Sequence, residues 1–313
     1  MAALEVLSMG RTLVDLYPEQ DGPLESVTTY ASSVGGSPSN VAIAAARLGR
    51  RTGMISRVGD DALGRYARAA LAAEGIDVSQ VVAVPGAITP VAVCEIQDPF
   101  PLTIYRPTPP VDVEIAPDSL DQQTVASASI LWMSLSGFSA EPSRTAHHQA
   151  ARLRQDGAEL VLDLDYRPAF WASEQAATQA AASALTLASV VVGNLEECRI
   201  STGATTADDA ASRLLAAGAR LAVVKLGGEG VLAATAEERV VVRPIPIHQV
   251  NGLGAGDAFG GALCHGLLAG WHLSELLDFA NAAGAVVASR RGCSTAMPTA
   301  GEVGELLATS RRA

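Results

Sequence analysis

The sequence has few cysteines and no long apolar run. The four cysteines, Cys94, Cys198, Cys264 and Cys293, lie far apart and form no Cys-x-x-Cys pair, so neither a zinc site nor a disulfide framework is indicated. No apolar run reaches the roughly 18 residues of a membrane span. The first residues lack the basic start, apolar run and cleavage site of a signal peptide. We therefore expect a soluble, reduced, cytoplasmic protein.

Positive charge is also scarce. The chain has 22 Lys and Arg against 33 Asp and Glu, a formal net charge of −11 over 313 residues. This balance argues against nucleic acid or an anionic membrane surface as a partner and favours a small-molecule ligand. Apolar residues make up 49% of the chain and charged residues 18%, so a sizeable core can form.

Three common catalytic motifs are missing. The sequence contains no Gly-x-x-x-x-Gly-Lys-Ser/Thr phosphate loop, no Gly-x-Ser-x-Gly nucleophile elbow and no His-Glu-x-x-His zinc motif. The late stretch GLGAGDAF, residues 252–259, lacks the third glycine of a dinucleotide-binding motif and the acidic residue at the ribose-reading distance. These absences disfavour hydrolases and leave a nicotinamide-dependent oxidoreductase as a weak alternative.

Helix-like and β-prone segments alternate along most of the chain. Residues 37–49 and 60–75 show helical spacing of apolar residues and end in glycine, with a β-rich run at 51–59 between them. The same alternation returns with helices expected at 143–157, 173–187 and 205–218. Strands alternating with helices of this length predict an α/β fold with a mainly parallel sheet covered on both faces.

Two regions interrupt this alternation. Residues 11–35 and 89–110 contain short β-prone pieces, including VAVCEI and LTIYR, with prolines and no helix between them. We interpret them as an added antiparallel flap that covers a site at the carboxyl edge of the sheet. Irregular loops are the alternative. No repeat or low-complexity linker divides the chain, so residues 1–313 are expected to form a single domain.

The stretch VNGLGAGDAFGGAL, residues 250–263, places a carboxylate directly after a glycine-rich turn. A β-prone run at 240–250 precedes it and a helix-like run follows, so Gly254, Ala255 and Gly256 are expected at a strand-to-helix turn. Backbone N–H groups at a helix N-terminus bind anions. Asp257, in the first helical turn, could take a proton from an attacking hydroxyl. The alternative is that Asp257 only caps the helix.

Four motifs in order make the chain resemble the PfkB, or ribokinase-like, family of carbohydrate kinases. They are GGSPSNVAIAAARLG at 35–49, GNLEE at 193–197, VVKLGGEGV at 223–231 and GLGAGDAFGGAL at 252–263, and they span nearly the whole length. The resemblance implies a Rossmann-type three-layer α/β sandwich with a small β-sheet lid formed by about residues 11–35 and 89–110. It also implies transfer of the ATP γ-phosphate to a sugar hydroxyl.

The resemblance further implies roles on the nucleotide side. Asp257 matches the catalytic base of the family, and the N–H groups of residues 254–256 match its anion hole. Asn194 and Glu197 match an Asn-x-x-Glu motif that acts on Mg²⁺ and the phosphates largely through water, and such oxygen ligands suit magnesium; a helix cap is the alternative for this pair. The remaining nucleotide-site matches are Lys225, Gly227, Gly230 and Asn281. A plain strand end and a helix packing face are the alternatives for these residues.

On the sugar side the matching residues are Asp15, Gly35, Gly36 and Asn40. A carboxylate and a carboxamide suit vicinal hydroxyls, although Asp15 could instead belong to a surface turn. Arg106 and Arg167 lie where the related 2-keto-3-deoxygluconate kinases place carboxylate-binding residues, and guanidinium groups match a carboxylate bidentately. Surface arginines are the alternative. The resemblance thus implies a sugar acid as the substrate.

Within the family, the stretches VDLYPEQ, FPLTIYR, LDLDYRPAFW and CSTAMP are most similar to the 5-dehydro-2-deoxygluconokinases of myo-inositol breakdown. This similarity implies phosphorylation of the C6 hydroxyl of 2-deoxy-5-keto-gluconate. The alternatives are a 2-keto-3-deoxygluconate kinase, a fructose or ribose kinase, and a ligand-sensing protein without catalysis. Asn251 stands where many members have an aspartate, which argues against the monovalent-cation (K⁺) site of some relatives. Lids of the family often pair, so a homodimer is a further expectation.

Overall fold

Two β-sheets and a set of helices make up the part of the chain that the computed structural model describes, residues 3–96 and 100–310. The strands are β1 Val6–Met9, β2 Leu13–Pro18, β3 Tyr30–Gly35, β4 Thr52–Gly59, β5 Asp77–Val84, β6 Val91–Cys94, β7 Leu102–Tyr105, β8 Ile130–Ser134, β9 Glu159–Asp163, β10 Val190–Asn194, β11 Leu221–Lys225, β12 Val231–Ala234 and β13 Arg239–Val242. The helices are α1 Ser37–Arg47, α2 Ala62–Ala73, α3 Gln122–Ser127, α4 Ser143–Leu153, α5 Glu174–Leu185, α6 Leu195–Thr202, α7 Ala207–Ala216, α8 Ala255–Ala269, α9 Leu273–Ala288 and α10 Ala300–Ser310.

The large sheet has nine strands in the order β13-β12-β11-β10-β9-β8-β1-β4-β5. The strands from β11 to β5 in this order pair in parallel, and β12 and β13 add an antiparallel edge. Parallel neighbours need crossover connections, and the helices between them supply these. The prediction of a mainly parallel α/β sheet is confirmed.

Helices cover both faces of this sheet and form two cores. Successive residues of β8 point to opposite faces: Ile130 and Trp132 belong to the core with α1, α2, α8, α9 and α10, and Leu131 and Met133 to the core with α3 to α7. Because both faces are buried, β1 and β4 are buried along their whole length. The result is the three-layer sandwich that the resemblance implied.

The predicted helix ends are largely set by local chemistry. The Asp61 side chain accepts a hydrogen bond from the Gly64 N–H at the start of α2. Gly49 and Gly270 have positive φ angles of 87° and 66° after α1 and α8, which glycine adopts without strain. The helix expected at 143–157 ends earlier, at Leu153, because Arg154 takes an extended conformation.

The small sheet has the strand order β3-β2-β6-β7. Its strands come from the two regions that interrupt the alternation of helices and strands. β2 with β3 and β6 with β7 are antiparallel, but β2 and β6 pair in parallel. The prediction of an antiparallel flap is therefore wrong for this central pair, whose strands are joined by the long excursion through α1, β4, α2 and β5.

The segment before the glycine-rich turn also differs from the prediction. Only β13 is a strand, and the chain from residue 243 to the start of α8 is irregular. Pro244 and Pro246 cannot donate hydrogen bonds to a neighbouring strand. The turn at Gly254 is therefore not a strand-to-helix turn, and α8 begins after a long loop.

No helix in the described ranges is long and apolar enough to cross a membrane.

Candidate active site

The carboxyl ends of several parallel strands meet at one edge of the large sheet. Arg11 follows β1, Asp163 ends β9, Asn194 ends β10 and Lys225 ends β11. In open α/β sheets this edge is where ligands bind. The small sheet leaves the large one here, since β2 begins four residues after β1 ends. Polar side chains that are far apart in sequence are thereby brought together.

The glycine-rich turn lies at the N-terminus of α8. Gly254 is the residue before the helix and has a φ angle of 82°. A Cβ at this position would lie 2.2 Å from Sγ of Cys293, so glycine is required both for the conformation and for the space. The first N–H groups of a helix have no partner within it. The turn therefore offers the N–H groups of Ala255 and Gly256 to an anion, beside the Asp257 carboxylate.

Asp257 is held by α1. Its Oδ2 accepts a hydrogen bond of 2.7 Å from Nδ2 of Asn40, which is buried. Oδ1 of Asn40 is also buried and has no partner among the described residues. Burial, with a smaller contribution from Asp165, raises the pKa of Asp257 to about 6. A carboxylate with such a pKa is a suitable general base near neutral pH.

Two clefts meet at this turn. The first, which we call the Asp15 cleft, has a cavity volume of about 60 Å³ and is lined by Asp15, Asn40, Arg167, Gly254 and Asp257, among others. The second, the Lys225 cleft, has a cavity volume of about 330 Å³ and is lined by Lys225, Gly227, Gly230, Gly252, Ala255, Gly256 and Asn281, with apolar residues such as Ile245 and Phe259. Asp257 and the helix N-terminus thus lie at the boundary between a small polar cleft and a larger cleft of ligand size.

The Asp15 cleft contains the predicted sugar-side residues. Asp15, on β2, is buried, and burial together with the nearby Asp257 raises the pKa of Asp15 to about 7. A Cβ on Gly35 would lie 2.1 Å from Oδ1 of Asp15, and Gly36 has a φ angle of 96° with Arg11 O close by. Gly35 is therefore required by close packing on Asp15, and Gly36 by its positive φ angle and the nearby Arg11 backbone; Asp15 is not a surface-turn residue.

The two predicted arginines differ in their surroundings. Arg167 is half-exposed, lines the Asp15 cleft and pairs with Asp165 at 3.0 Å. Arg106 is outside the set of residues that line this cleft; its Nε and Nη2 donate to the two oxygens of buried Asp112 at 2.9 and 2.7 Å. Its best bidentate edge is therefore already paired within the protein.

Arg11 and Asp165 were missed by the sequence reasoning. Both are buried, line the Asp15 cleft and form an ion pair of 2.9 Å. Burial by itself raises the pKa of Asp165, but Arg167 and Arg11 outweigh burial and hold that pKa below its usual value. A signal was available: each residue comes directly after a core strand, where the carboxyl ends converge.

On the other side of the turn, Lys225 lies near three carboxylates. Its Nζ is 3.8 Å from Oδ1 of Asp163, and Asp163, Glu197 and Asp257 are all close enough to favour the protonated lysine. Burial raises the pKa of Asp163.

Asn281 also lines the Lys225 cleft, and its Nδ2 donates to the backbone oxygen of Arg243 at 2.8 Å.

Asn194 and Glu197 form a capping box at the start of α6. Oδ1 of Asn194 accepts from the Glu197 N–H at 2.8 Å, and Oε2 of Glu197 accepts from the Asn194 N–H at 2.7 Å. The helix-cap alternative is thus realised, and it leaves Oε1 of Glu197 unused by donors of the described chain. Among the described residues there is no group of three or more His, Cys, Asp or Glu that could hold a metal by itself.

These residues nevertheless suit Mg²⁺ that arrives with a nucleotide. Magnesium usually keeps several waters and binds one or two carboxylates together with phosphate oxygens, and Glu197 and Asp163 lie on the Lys225 side of the turn. The Lys225 cleft combines backbone exposed by glycines with an apolar wall, which suits phosphates and a purine ring. The donor set therefore fits the group that the resemblance implied.

A model of the pfkB family of carbohydrate kinases matches residues 3–300. The chain belongs to the PfkB family. It is accordingly an ATP-dependent sugar kinase. The 5-dehydro-2-deoxygluconokinase of Geobacillus kaustophilus (strain HTA426) is 32% identical over 318 residues, which cover 98% of this chain and 95% of that protein.

Solved structures show the same PfkB architecture. A putative ribokinase II from E. coli, solved with ATP and Mg²⁺, has a TM-score of 0.89 at 22% identity and covers 98% of this chain and 99% of its own. A fructokinase from Vibrio cholerae O395, solved with fructose, ADP and calcium, has a TM-score of 0.85 at 27% identity and covers 96% and 98%. The ribokinase-like fold expected from the sequence is confirmed.

Proposed function

We propose that the protein phosphorylates the 6-hydroxyl of 5-dehydro-2-deoxy-D-gluconate, a sugar acid of inositol breakdown. The observation that carries this proposal is the position of Asp257 and the α8 N-terminus between two clefts, one of which is lined by arginines and the other by glycines. The name of the relative from Geobacillus kaustophilus supports the choice of substrate. ATP occupies the Lys225 cleft, and the acid occupies the Asp15 cleft.

Asp257 acts as the base. Its carboxylate takes the proton of the 6-hydroxyl, the hydroxyl oxygen forms a bond to the γ-phosphorus, and the bond from that phosphorus to the bridging oxygen of ADP breaks. The N–H groups of residues 254–256 stabilise the charge on the transferring phosphoryl group. Asn40 holds Asp257 in place through its Nδ2 and offers its unpartnered Oδ1 to a substrate hydroxyl.

The other residues bind and position. Asp15 accepts hydrogen bonds from hydroxyls of the acid, Arg167 attracts its negative charge, and Lys225 contacts phosphate oxygens. Glu197 and Asp163 would hold Mg²⁺ through water, and the bound metal would supply positive charge to the phosphates. The small sheet acts as a lid that excludes water from the two clefts.

A coupled ADP-release assay tests the substrate. The acceptors are 5-dehydro-2-deoxygluconate, 2-keto-3-deoxygluconate, fructose and ribose, each with ATP and Mg²⁺. We expect the highest kcat/KM for 5-dehydro-2-deoxygluconate. A preference for 2-keto-3-deoxygluconate would keep a sugar acid but refute the particular one, whereas a preference for fructose or ribose would refute the sugar-acid assignment.

A further inference from the structure

Arg11 has unpaired donors in a buried position. Its side chain lines the Asp15 cleft, and the residue is 7% exposed. Nη2 donates to Oδ2 of Asp165 at 2.9 Å, but Nε and Nη1 are buried and have no partner within the described chain. Buried donors that stay unpaired are costly, and those of a charged group most of all. A guanidinium in this state calls for an acceptor that the described chain does not supply.

Other buried or partly buried arginines of the described chain, such as Arg57 and Arg106, find acceptors within the protein. Arg57 is 4% exposed, but its guanidinium donates to the backbone oxygens of Ser56 and Gln80 and to the hydroxyl of Ser119. Arg106 is paired at two points with Asp112. Among described residues, Arg11 alone of the arginines has buried nitrogens without a partner. Buried arginine nitrogens without an acceptor are therefore confined, among the described residues, to the Asp15 cleft.

The plane of the Arg11 guanidinium is fixed by its neighbours. Its Cζ lies 3.9 Å from the centroid of the Phe170 ring, and Asp165 fixes one corner. Arg106 also approaches this ring, with its Cζ 4.6 Å from the centroid. An arginine stacked on a ring and anchored by a carboxylate is preorganised for a planar ligand group.

Charge and geometry together indicate which group that is. Asp165 is shared by Arg11 and Arg167, so this cluster of three side chains has an excess of one positive charge. A guanidinium has five N–H donors. Whichever proton of Nη2 Asp165 accepts, one edge of the guanidinium keeps two parallel donors, and such an edge matches the two oxygens of a carboxylate.

We propose that Arg11 binds the carboxylate of the acceptor and thereby selects sugar acids over neutral sugars, with Asp165 and Phe170 as positioning residues. The proposal rests on the proposed function, because it requires an acid to enter the Asp15 cleft. The proposal moves the main carboxylate contact from Arg106, which is paired with Asp112, to Arg11, two residues after the end of β1. Arg167 adds charge from the open side of the cleft.

The test uses Arg11→Lys, which keeps a positive charge for Asp165 but loses the fork, and Arg57→Lys as the control, a buried arginine outside the cleft. Two probes differ only at C1: D-gluconate has a carboxylate there and D-glucitol a hydroxymethyl group. Calorimetry without ATP measures the binding of both probes, the ADP-release assay measures KM and kcat for 5-dehydro-2-deoxygluconate, and thermal unfolding checks the fold.

We expect Arg11→Lys to weaken gluconate binding, and to raise KM for the keto acid, by roughly ten- to hundredfold, which corresponds to the loss of hydrogen bonds to a charged group. KM for ATP and the binding of glucitol should stay unchanged, and Arg57→Lys should change neither acid measurement. Equal gluconate affinity in Arg11→Lys and Arg57→Lys, or no gluconate binding by the wild type, would overturn the proposal.

The two proposals can fail separately. If the wild type prefers another acceptor but binds gluconate in an Arg11-dependent way, the assigned substrate is wrong and the role of Arg11 stands. If the keto acid is the best acceptor and its KM is unaffected by Arg11→Lys, the substrate stands and the role of Arg11 is refuted. Should Arg11→Lys not fold, Phe170→Leu replaces it: a severalfold higher KM for the acid is expected, and an unchanged KM contradicts the proposal.

Discussion

Asp257 is the residue on which the proposed chemistry depends most. Asp257→Asn keeps the shape and the acceptor capacity toward Asn40 but cannot take a proton. General-base loss costs about 10²–10⁴ in rate, so we expect kcat to fall by at least about a hundredfold with ATP binding retained. Steady-state kinetics and calorimetry with ATP measure the two quantities, and near-normal turnover would contradict the assignment.

The same residue should set the pH dependence. Asp257 is a base only when ionised, and its pKa is raised from 3.8 to about 6 by burial. The kcat/KM of the wild type should therefore fall as the pH drops through about 6. Asp15, whose pKa is raised to about 7, would add a second step above it. In Asp15→Asn the step near pH 6 should remain. A wild-type profile that stays flat down to pH 4 would show that neither raised pKa affects catalysis.

Gly35 packs directly against the Asp15 carboxylate. Its Cβ would lie 2.1 Å from Oδ1 of Asp15, so Gly35→Ala must displace the carboxylate. We expect kcat/KM for the acceptor to fall by up to about 10²-fold and KM for ATP to stay unchanged. Gly304→Ala, in exposed α10 with open space around the glycine, is the control and should stabilise the fold by about 0.5–1 kcal/mol. Equal kinetics in the two variants would contradict the role given to Gly35.

The loop before α8 holds Asn251 in surroundings that suit an amide. Asn251 is fully buried; its Nδ2 donates to the backbone oxygen of Arg291 at 2.7 Å and its Oδ1 accepts from the Leu253 N–H at 3.0 Å. The amide thus satisfies both a donor and an acceptor of the backbone. A carboxylate could not donate to Arg291 and would be a buried charge without a counterion.

From this loop we expect activity without potassium. Turnover in K⁺ should equal turnover in Na⁺ at the same ionic strength, because the Asn251 amide already completes the hydrogen bonds around it. Asn251→Asp should unfold at a lower temperature than the wild type, as measured by calorimetry in a buffer free of K⁺. Activation of the wild type by K⁺ over Na⁺ would contradict the prediction.

Some elements follow directly from the sequence. Gly49, Gly75 and Asp61 set helix ends through local chemistry, and the glycine-rich turn at 254–256 was placed at a helix N-terminus correctly. The antiparallel flap and the strand before the turn were predicted wrongly in part, because pairing direction and the effect of Pro244 and Pro246 depend on partners that periodicity does not show. That the small sheet acts as a lid stays a prediction.

At the scale of the whole molecule, the edges of the small sheet are exposed. The edge strands β3 and β7 carry Tyr30 and Tyr105, which are 37% and 64% exposed. Unpaired edge strands with large apolar side chains favour association. We infer from these edges that the predicted homodimer forms through the small sheet.

Light scattering after size-exclusion chromatography tests this association. We expect a dimer for the wild type and a shift toward the monomer for Tyr105→Glu, which places a charge on the edge. Val241→Glu is the control, since Val241 is 62% exposed on β13, the edge strand of the large sheet. A monomeric wild type, or equal effects of both substitutions, would contradict a dimer through the small sheet.

The sequence by itself determined the alternation of strands and helices and the position of Asp257 after a glycine-rich turn at a helix N-terminus, because these features depend on neighbours a few residues apart. Only the tertiary structure decided which arginines find acceptors within the protein. Arg11 and Asp165 are 154 positions apart in sequence, and they meet because β1 and β9 end at the same edge of the sheet. The same folding pairs Arg106 with Asp112 and leaves Nε and Nη1 of Arg11 without an acceptor among the described residues.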